Sequence, residues 1–321
     1  MPGHVTNVWL VGVGGMGREY GRVLSSMGQS FEMIGRGEAS AAVAKEKLGV
    51  PVHTGGLAAF LERGSAPASH AIVATGIEDL AAACSALMKA GVRSILVEKP
   101  AGVDRAEVDR LALEAAQTNT RLIVAYNRRF YASTRRAKEL IAEDGGVKSF
   151  TFEFTEWGHE IAGLPLSDRI KHNWLLANSS HVIDLAFFLG GEPRHLDARV
   201  SGAMSWHPSG AVFVGSGESS SGALFSYHAN WAAPGRWGVE VLTAKRRLIF
   251  RPMEKLQITP LASVAITEEP IDNARDLEFK PGLYDQTVAF LAGDSRALCT
   301  IAEHAAACRH YDTIGRGHHA R

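Results

Sequence analysis

The chain carries no excess of charge of either sign. Its 34 lysines and arginines balance 34 aspartates and glutamates over 321 residues, so the electrostatic footprint of a protein that holds nucleic acid or an anionic membrane is missing. Long apolar runs are missing too. None approaches the roughly 20 residues needed to cross a bilayer, and no membrane is expected among its partners. Cysteine is scarce: Cys84, Cys299 and Cys308 form an odd set without C-x-x-C spacing, which points to reduced thiols rather than to a disulfide framework. His304 and Cys308 lie four apart on an expected helix, yet no further ligands cluster nearby, so no metal is expected. The opening Met1-Pro2-Gly3-His4 has no basic region and the first strand follows at once, which argues against a cleaved signal and for a cytoplasmic protein. His318-His319 reads as a frayed tail, and no repeat or low-complexity stretch occurs.

What is present is an ordinary globular composition, 46% apolar and 21% charged, on a chain long enough for two domains. Over the first 125 or so residues, strand-length apolar runs at 8–13, 31–34, 71–74, 95–97 and 122–125 alternate with segments of helical spacing such as 77–90 and 106–117. Asp104 with Glu107 predicts a capped helix start, and Gly91 a left-handed helix end. That alternation predicts a parallel, doubly wound sheet with right-handed crossovers. After Tyr126 the rhythm changes. Helices are expected near 134–143 and 179–189, and runs at 147–155, 196–202, 212–216, 223–229, 239–242 and 248–250 read as strands of an antiparallel or mixed sheet. Helices return at 284–291 and 301–311. The expected division is a dinucleotide-binding domain over 1–126 and a substrate-binding α/β domain over 127–321, with C-terminal helices free to pack back on the first.

Val8-Trp9-Leu10-Val11-Gly12-Val13-Gly14-Gly15-Met16-Gly17 places G-x-G-x-x-G between an apolar strand and a helix. Gly12 permits the tight turn and Gly14 the approach of backbone N–H groups to a pyrophosphate. Gly17 allows close helix–strand packing, and Gly15 and Met16 complete the loop. Ligands of such sheets sit at the carboxyl ends of the strands, where Thr75, Glu98-Lys99 and Tyr126-Asn127 also fall. After the second strand an NAD-binding chain usually carries an acid for the ribose 2′-hydroxyl. This chain has Ile34-Gly35-Arg36-Gly37, with Glu38 one position further. Arg36 suits a 2′-phosphate, so NADP(H) is expected over NAD(H).

Taken together, the glycine loop, Val97-Glu98-Lys99-Pro100, Asn127-Arg128-Arg129-Phe130, His181-x-x-Asp184 and the segment from Tyr284 through Gln286 to Phe290 resemble the glucose–fructose oxidoreductase / inositol dehydrogenase (Gfo/Idh/MocA) family over nearly the whole chain. The resemblance implies a Rossmann domain followed by an α/β domain whose open, mostly antiparallel sheet mediates assembly into a homodimer or homotetramer. It also implies hydride transfer on a sugar, nucleotide sugar, cyclitol or related polyol, with Lys99 and His181 catalytic. One position departs: where family members similar to inositol dehydrogenase carry an Asp four residues before the histidine, this chain has Ala177.

Lys99, at a buried strand end fixed by Pro100, can hydrogen-bond the reacting oxygen. His181 titrates near neutrality and suits acid–base work, with Asp184 one turn on and able to orient it. Lys171 and Asn178 are polar candidates for substrate hydroxyls or an anionic substituent. Arg129 is expected in the cofactor cleft, and Arg128 in a structural salt bridge. Trp157, Trp174, Trp206, Trp231 and Trp237 are either sugar platforms or core packing. Two other readings stand beside the dehydrogenase: a non-catalytic dinucleotide-binding regulator, and a same-fold enzyme that uses the cofactor transiently to permit elimination.

Overall fold

The computed structural model describes residues 7–317; the readings of Met1–His4 and of His318-His319 fall outside them. The chain forms two compact units, one up to Asn127 and again over Arg275–Ala305, the other over Arg128–Ala274 and from Ala306 on.

In the first unit, β1 (Val8–Val11), α1 (Gly15–Ser26), β2 (Phe31–Ile34), α2 (Glu38–Leu48), β3 (Val52–His53) and α3 (Gly56–Leu61) lead to β4 (His70–Val73) and α4 (Ile77–Lys89). There follow β5 (Ser94–Glu98), α5 (Arg105–Gln117) and β6 (Arg121–Ala125). The pairing order is β3-β2-β1-β4-β5-β6, all parallel, which is the doubly wound arrangement with its strand-order switch between β1 and β4. Val8–Val11 is buried throughout, as expected of a strand covered by helices on both faces. The punctuation is as read: Gly91 follows α4 at φ +96°, and Asp104 Oδ1 accepts from the Glu107 N–H at 3.0 Å. Glu107 reaches back to the N–H of Val103, one residue outside a standard capping box (3.0 Å).

In the second unit come α6 (Ala132–Glu143), β7 (Ser149–Glu153), α7 (Gly158–Ala162), α8 (Asp168–His172) and α9 (Ser180–Gly190). Then β8 (Pro193–Ser201), β9 (Val212–Ser219), β10 (Leu224–Asn230), β11 (Gly238–Leu242), β12 (Arg246–Phe250), β13 (Gln257–Pro260) and β14 (Thr267–Glu268) follow one another. They pair in the order β14-β13-β12-β11-β7-β10-β9-β8, antiparallel everywhere except β7 with β10. Alternation sorts the two faces. Phe150, Phe152, Phe225 and Tyr227 point inward, where Phe187 of α9 meets the three phenylalanines at ring separations of 5.3–6.1 Å. Thr151, Glu153, Ser226 and His228 take the opposite face. Gly190 closes α9 because a β-carbon there would run into the Phe150 ring.

The last elements are α10 (Ala274–Glu278), α11 (Leu283–Ala292), β15 (Cys299–Thr300) and α12 (Ile301–Arg316). Residues Arg275–Ala305 belong to the first unit because β15 extends its sheet, antiparallel to β6, and α11 packs on α1. The sequence pattern does not predict β3, α3, β15 or the five-residue helices: two-residue strands and single turns carry no period to read.

Candidate functional site

At the β1–α1 turn Gly12 takes φ +114°, and a β-carbon there would strike the backbone of Ala74 at the end of β4. A β-carbon on Gly17 would overlap the carbonyl of Gly12, so α1 can cross β1 this closely only with glycine. Gly14 and Gly15 differ. Nothing lies within 4 Å of where their β-carbons would be, because both border a cavity of about 690 Å³. The cavity sits over the strand-order switch and is lined by Gly12–Met16, Arg36, Ser40, Thr75 and Asp79 among others. Gly14 caps α1 without a side-chain bond and the first turn has no acid, so its N–H groups and dipole stay available to an anion. A strip of backbone donors under side-chain-free space fits a dinucleotide pyrophosphate.

Arg36 stands exposed at the rim, 3.0 Å from Asp79 of α4. Ser40 lines the same rim, and its hydroxyl donates to Gly37 O (3.0 Å). Glu38 is absent from the lining.

Glu98 and Lys99 end β5 outside that lining. Glu98 accepts a 2.9 Å bond from the phenol of Tyr20, a fully buried residue of α1. Burial pushes the Glu98 carboxyl up, while the positive charge of Lys99 and the Tyr20 bond draw it back down. Burial likewise pushes the Tyr20 phenol up. The next peptide is held by His304, fully buried on α12: its Nε2 donates to Pro100 O (3.0 Å), leaving Nδ1 to accept from the Tyr126 hydroxyl (3.3 Å). Gln286, with its amide turned so that the oxygen accepts from the N–H groups of Tyr126 and Asn127 (3.2 Å each), fixes the end of β6. Tyr20 and His304 are thus supports of the Glu98-Lys99-Pro100 corner that sequence reasoning missed, since no motif spacing links them to it.

In the second unit His181 sits in the first turn of α9, directly after the π-helical turn Leu175–Ser179 that contains Ala177. Several expected site residues have partners within the chain. The two oxygens of Asp184 take a bidentate fork from Arg129, Nε at 2.9 Å and Nη2 at 2.6 Å, with both side chains buried. Arg129 and Asp184 thus form a buried ion pair. Lys171 is buried, and its ammonium donates to Ala162 O (3.0 Å), a bond that closes the loop after α7. Asn178 donates to both oxygens of Glu156 (3.1 and 3.2 Å), and Ser179 donates to one of them (2.7 Å). Glu156, a buried acid that no motif flags, is thus the anchor of the segment leading into His181.

Trp237 lies beside the histidine, with ring centroids 6.2 Å apart. Trp174, Trp206 and Trp231 form an aromatic cluster with His207, at separations of 4.8–6.1 Å; the packing reading applies to them. Arg128, expected in a structural salt bridge, makes none among the described residues and stacks on Trp237 at 5.0 Å. Among the described residues no group of three or more His, Cys, Asp or Glu is placed to hold a metal ion. None of their helices is long and apolar enough to cross a membrane.

A β3-β2-β1-β4-β5-β6 parallel sheet with a glycine turn and a cavity at its switch point defines a dinucleotide-binding Rossmann domain. Residues 6–126 match the GFO_IDH_MocA family model, described as an oxidoreductase family with an NAD-binding Rossmann fold. No curated protein matches the sequence. Solved structures share the fold of both units. An oxidoreductase from Agrobacterium radiobacter, solved with NAD+, L-tartaric acid and magnesium, is 14% identical with a TM-score of 0.78, over 97% of this chain and 95% of that one. A UDP-N-acetylglucosamine 3-dehydrogenase from Acidithiobacillus ferrooxidans is 17% identical at TM-score 0.73, covering 97% of each chain. A levoglucosan dehydrogenase solved with NADH and levoglucosan is 20% identical at 0.75, over 96% of this chain and 95% of that one.

Proposed function

We propose that the protein is an NAD(P)-dependent dehydrogenase or reductase of a sugar or polyol. The observation that carries the reading is the glycine-lined cavity with an uncapped helix start, together with a lysine held at the end of β5 by its own set of buried supports. When bound, the nicotinamide accepts a hydride from a carbinol carbon or returns one to a carbonyl carbon.

The remaining chemistry falls to this chain. Lys99 donates a hydrogen bond to the reacting oxygen and stabilises the negative charge that develops on it. His181 takes up the hydroxyl proton in oxidation and gives it back in reduction. Arg36 and Ser40 at the rim, with Glu38 away from the lining, support a preference for NADP(H): a guanidinium and a hydroxyl suit a 2′-phosphate, and the lining carboxylate of Asp79 is paired with Arg36. Small-molecule sugars or polyols are the partners, with assembly into a dimer or tetramer through the polar outer face of the second sheet, in the cytoplasm.

Turnover is followed by nicotinamide absorbance against a panel of aldoses, ketoses and polyols. Lys99→Ala should lower kcat/KM by about 10²–10³-fold, the usual cost of losing one donor to a developing oxyanion. An unchanged value would remove the lysine from the mechanism.

A further inference from the structure

Two arginines of the second unit stand side by side with no counter-charge. Arg128 lies in the short turn Asn127–Phe130 ahead of α6, and Arg236 just before β11. Their guanidinium carbons lie 5.0 and 5.9 Å from the centroid of the Trp237 ring. Arg128 also stacks on Tyr131 (5.8 Å) and Arg236 on Trp157 (4.8 Å). Neither forms an ion pair among the described residues, and Arg128 Nε and Trp237 Nε1 are both buried donors without a partner. The nearest help is indirect. Glu156 and Glu254 act on Arg128 only from beyond ion-pair distance, and Glu156 already accepts from Asn178 and Ser179. Burial, with Arg236 adding repulsion, holds the Arg128 guanidinium below its usual range.

Several other arginines of the same unit are matched: Arg129 to Asp184, Arg136 to Glu269, Arg246 to Asp144 and Arg251 to Glu153. A buried donor left unpaired is costly, and two neighbouring cations compound that cost. An incoming oxyanion relieves both. Guanidinium groups bind carboxylate and phosphate through paired N–H bonds, and the indole N–H adds a third direction. Trp237 places this donor set beside His181, with the two rings 6.2 Å apart.

We propose that Arg128, Arg236 and Trp237 form a subsite for an anionic group, carboxylate or phosphate, on the substrate. The preferred substrate is then a sugar acid or a phosphorylated sugar rather than a neutral sugar. The inference deepens the proposed function and rests on it for the ligand being a sugar derivative.

The test titrates the full chain, in the presence of NADP+, with glucose, galactose and mannose, with their uronates and with their 6-phosphates, by calorimetry and by nicotinamide absorbance. At least one anionic sugar should bind about tenfold or more tighter than its neutral parent, which is about 1.4 kcal/mol. Whether the uronates or the phosphates gain identifies the anion. Arg236→Gln, at an exposed position that should not disturb folding, should erase most of that preference. Arg128→Lys, which keeps the charge but removes the fork, should weaken it further. The proposal is overturned if no anion of the panel binds, if charged and neutral sugars bind alike, or if both variants keep the wild-type preference. Anion binding that depends on Arg236 without nicotinamide reduction retains the subsite and rejects the dehydrogenase. Turnover of neutral sugars alone does the reverse.

Discussion

Around the cavity of the first unit the decisive groups are Gly12, Gly14, Gly15, Gly17 and the open start of α1, whereas beside His181 they are Arg128, Glu156, Asn178, Arg236 and Trp237. The first set works through backbone: what matters is the absence of side chains and the N–H groups thereby exposed. The second works through side chains brought from separate stretches of chain, each with a charge or ring that must find a partner. A backbone-built site tolerates change in most neighbours and none in its glycines. A side-chain-built site fails when one partner of a pair is removed.

That contrast can be broken or sharpened by substitution. The largest effect is expected from Asp184→Ala, which strands the buried Arg129 guanidinium. Loss of one member of a buried pair costs about 3–5 kcal/mol, read as a lowered midpoint in urea unfolding with unchanged slope. A loss below about 1 kcal/mol, the range of exposed pairs, would mean the fork is a minor contact.

Next come the glycines, which should split into two kinds. Gly17→Ala drives a methyl into the Gly12 carbonyl and should destabilise by about 1–3 kcal/mol, the range for overpacking. Gly15→Ala meets open space and should leave stability within about 0.5 kcal/mol, while dinucleotide affinity by calorimetry falls about tenfold or more, or about 1.4 kcal/mol. If Gly15→Ala binds nucleotide normally, the pyrophosphate does not sit over the loop.

The smallest effect is expected from Arg36→Ala. Its pair with Asp79 is exposed on both sides and should contribute about 0–1 kcal/mol to stability. Loss of a charged hydrogen bond to the 2′-phosphate, about 1.5–3 kcal/mol, should still raise KM for NADP+ on the order of tenfold or more while KM for NAD+ stays level. Equal changes for the two nucleotides would remove Arg36 from cofactor choice.

Much of this architecture was legible beforehand, for identifiable reasons. The alternation that builds the first sheet, the glycine loop and the Asp104 cap are local patterns, complete within about a dozen residues, so local propensity and tertiary structure agree. The aromatic inner face of the second sheet also showed as strand runs. The packing of C-terminal helices on the first unit was foreseen, but the strand β15 was not, since it is two residues long and its partner β6 lies far back in the chain. Nor were the roles of Asp184 and Lys171. Each has the chemistry of a ligand-binding residue, and the Arg129 fork and the Ala162 carbonyl bond form only once the chain is folded.

By itself, then, the order of residues determined the doubly wound sheet, the turn that suits a pyrophosphate and the position of Lys99 at a strand end, because period, glycine placement and capping act over short distances. Only the tertiary structure decided which charges are spent on one another. Arg129 with Asp184, Glu156 with Asn178, and Arg128 and Arg236 on the indole of Trp237 are encounters between separate segments. Whether an ionisable group is paired depends on what folding brings within a few ångströms of it, and sequence spacing does not encode that distance.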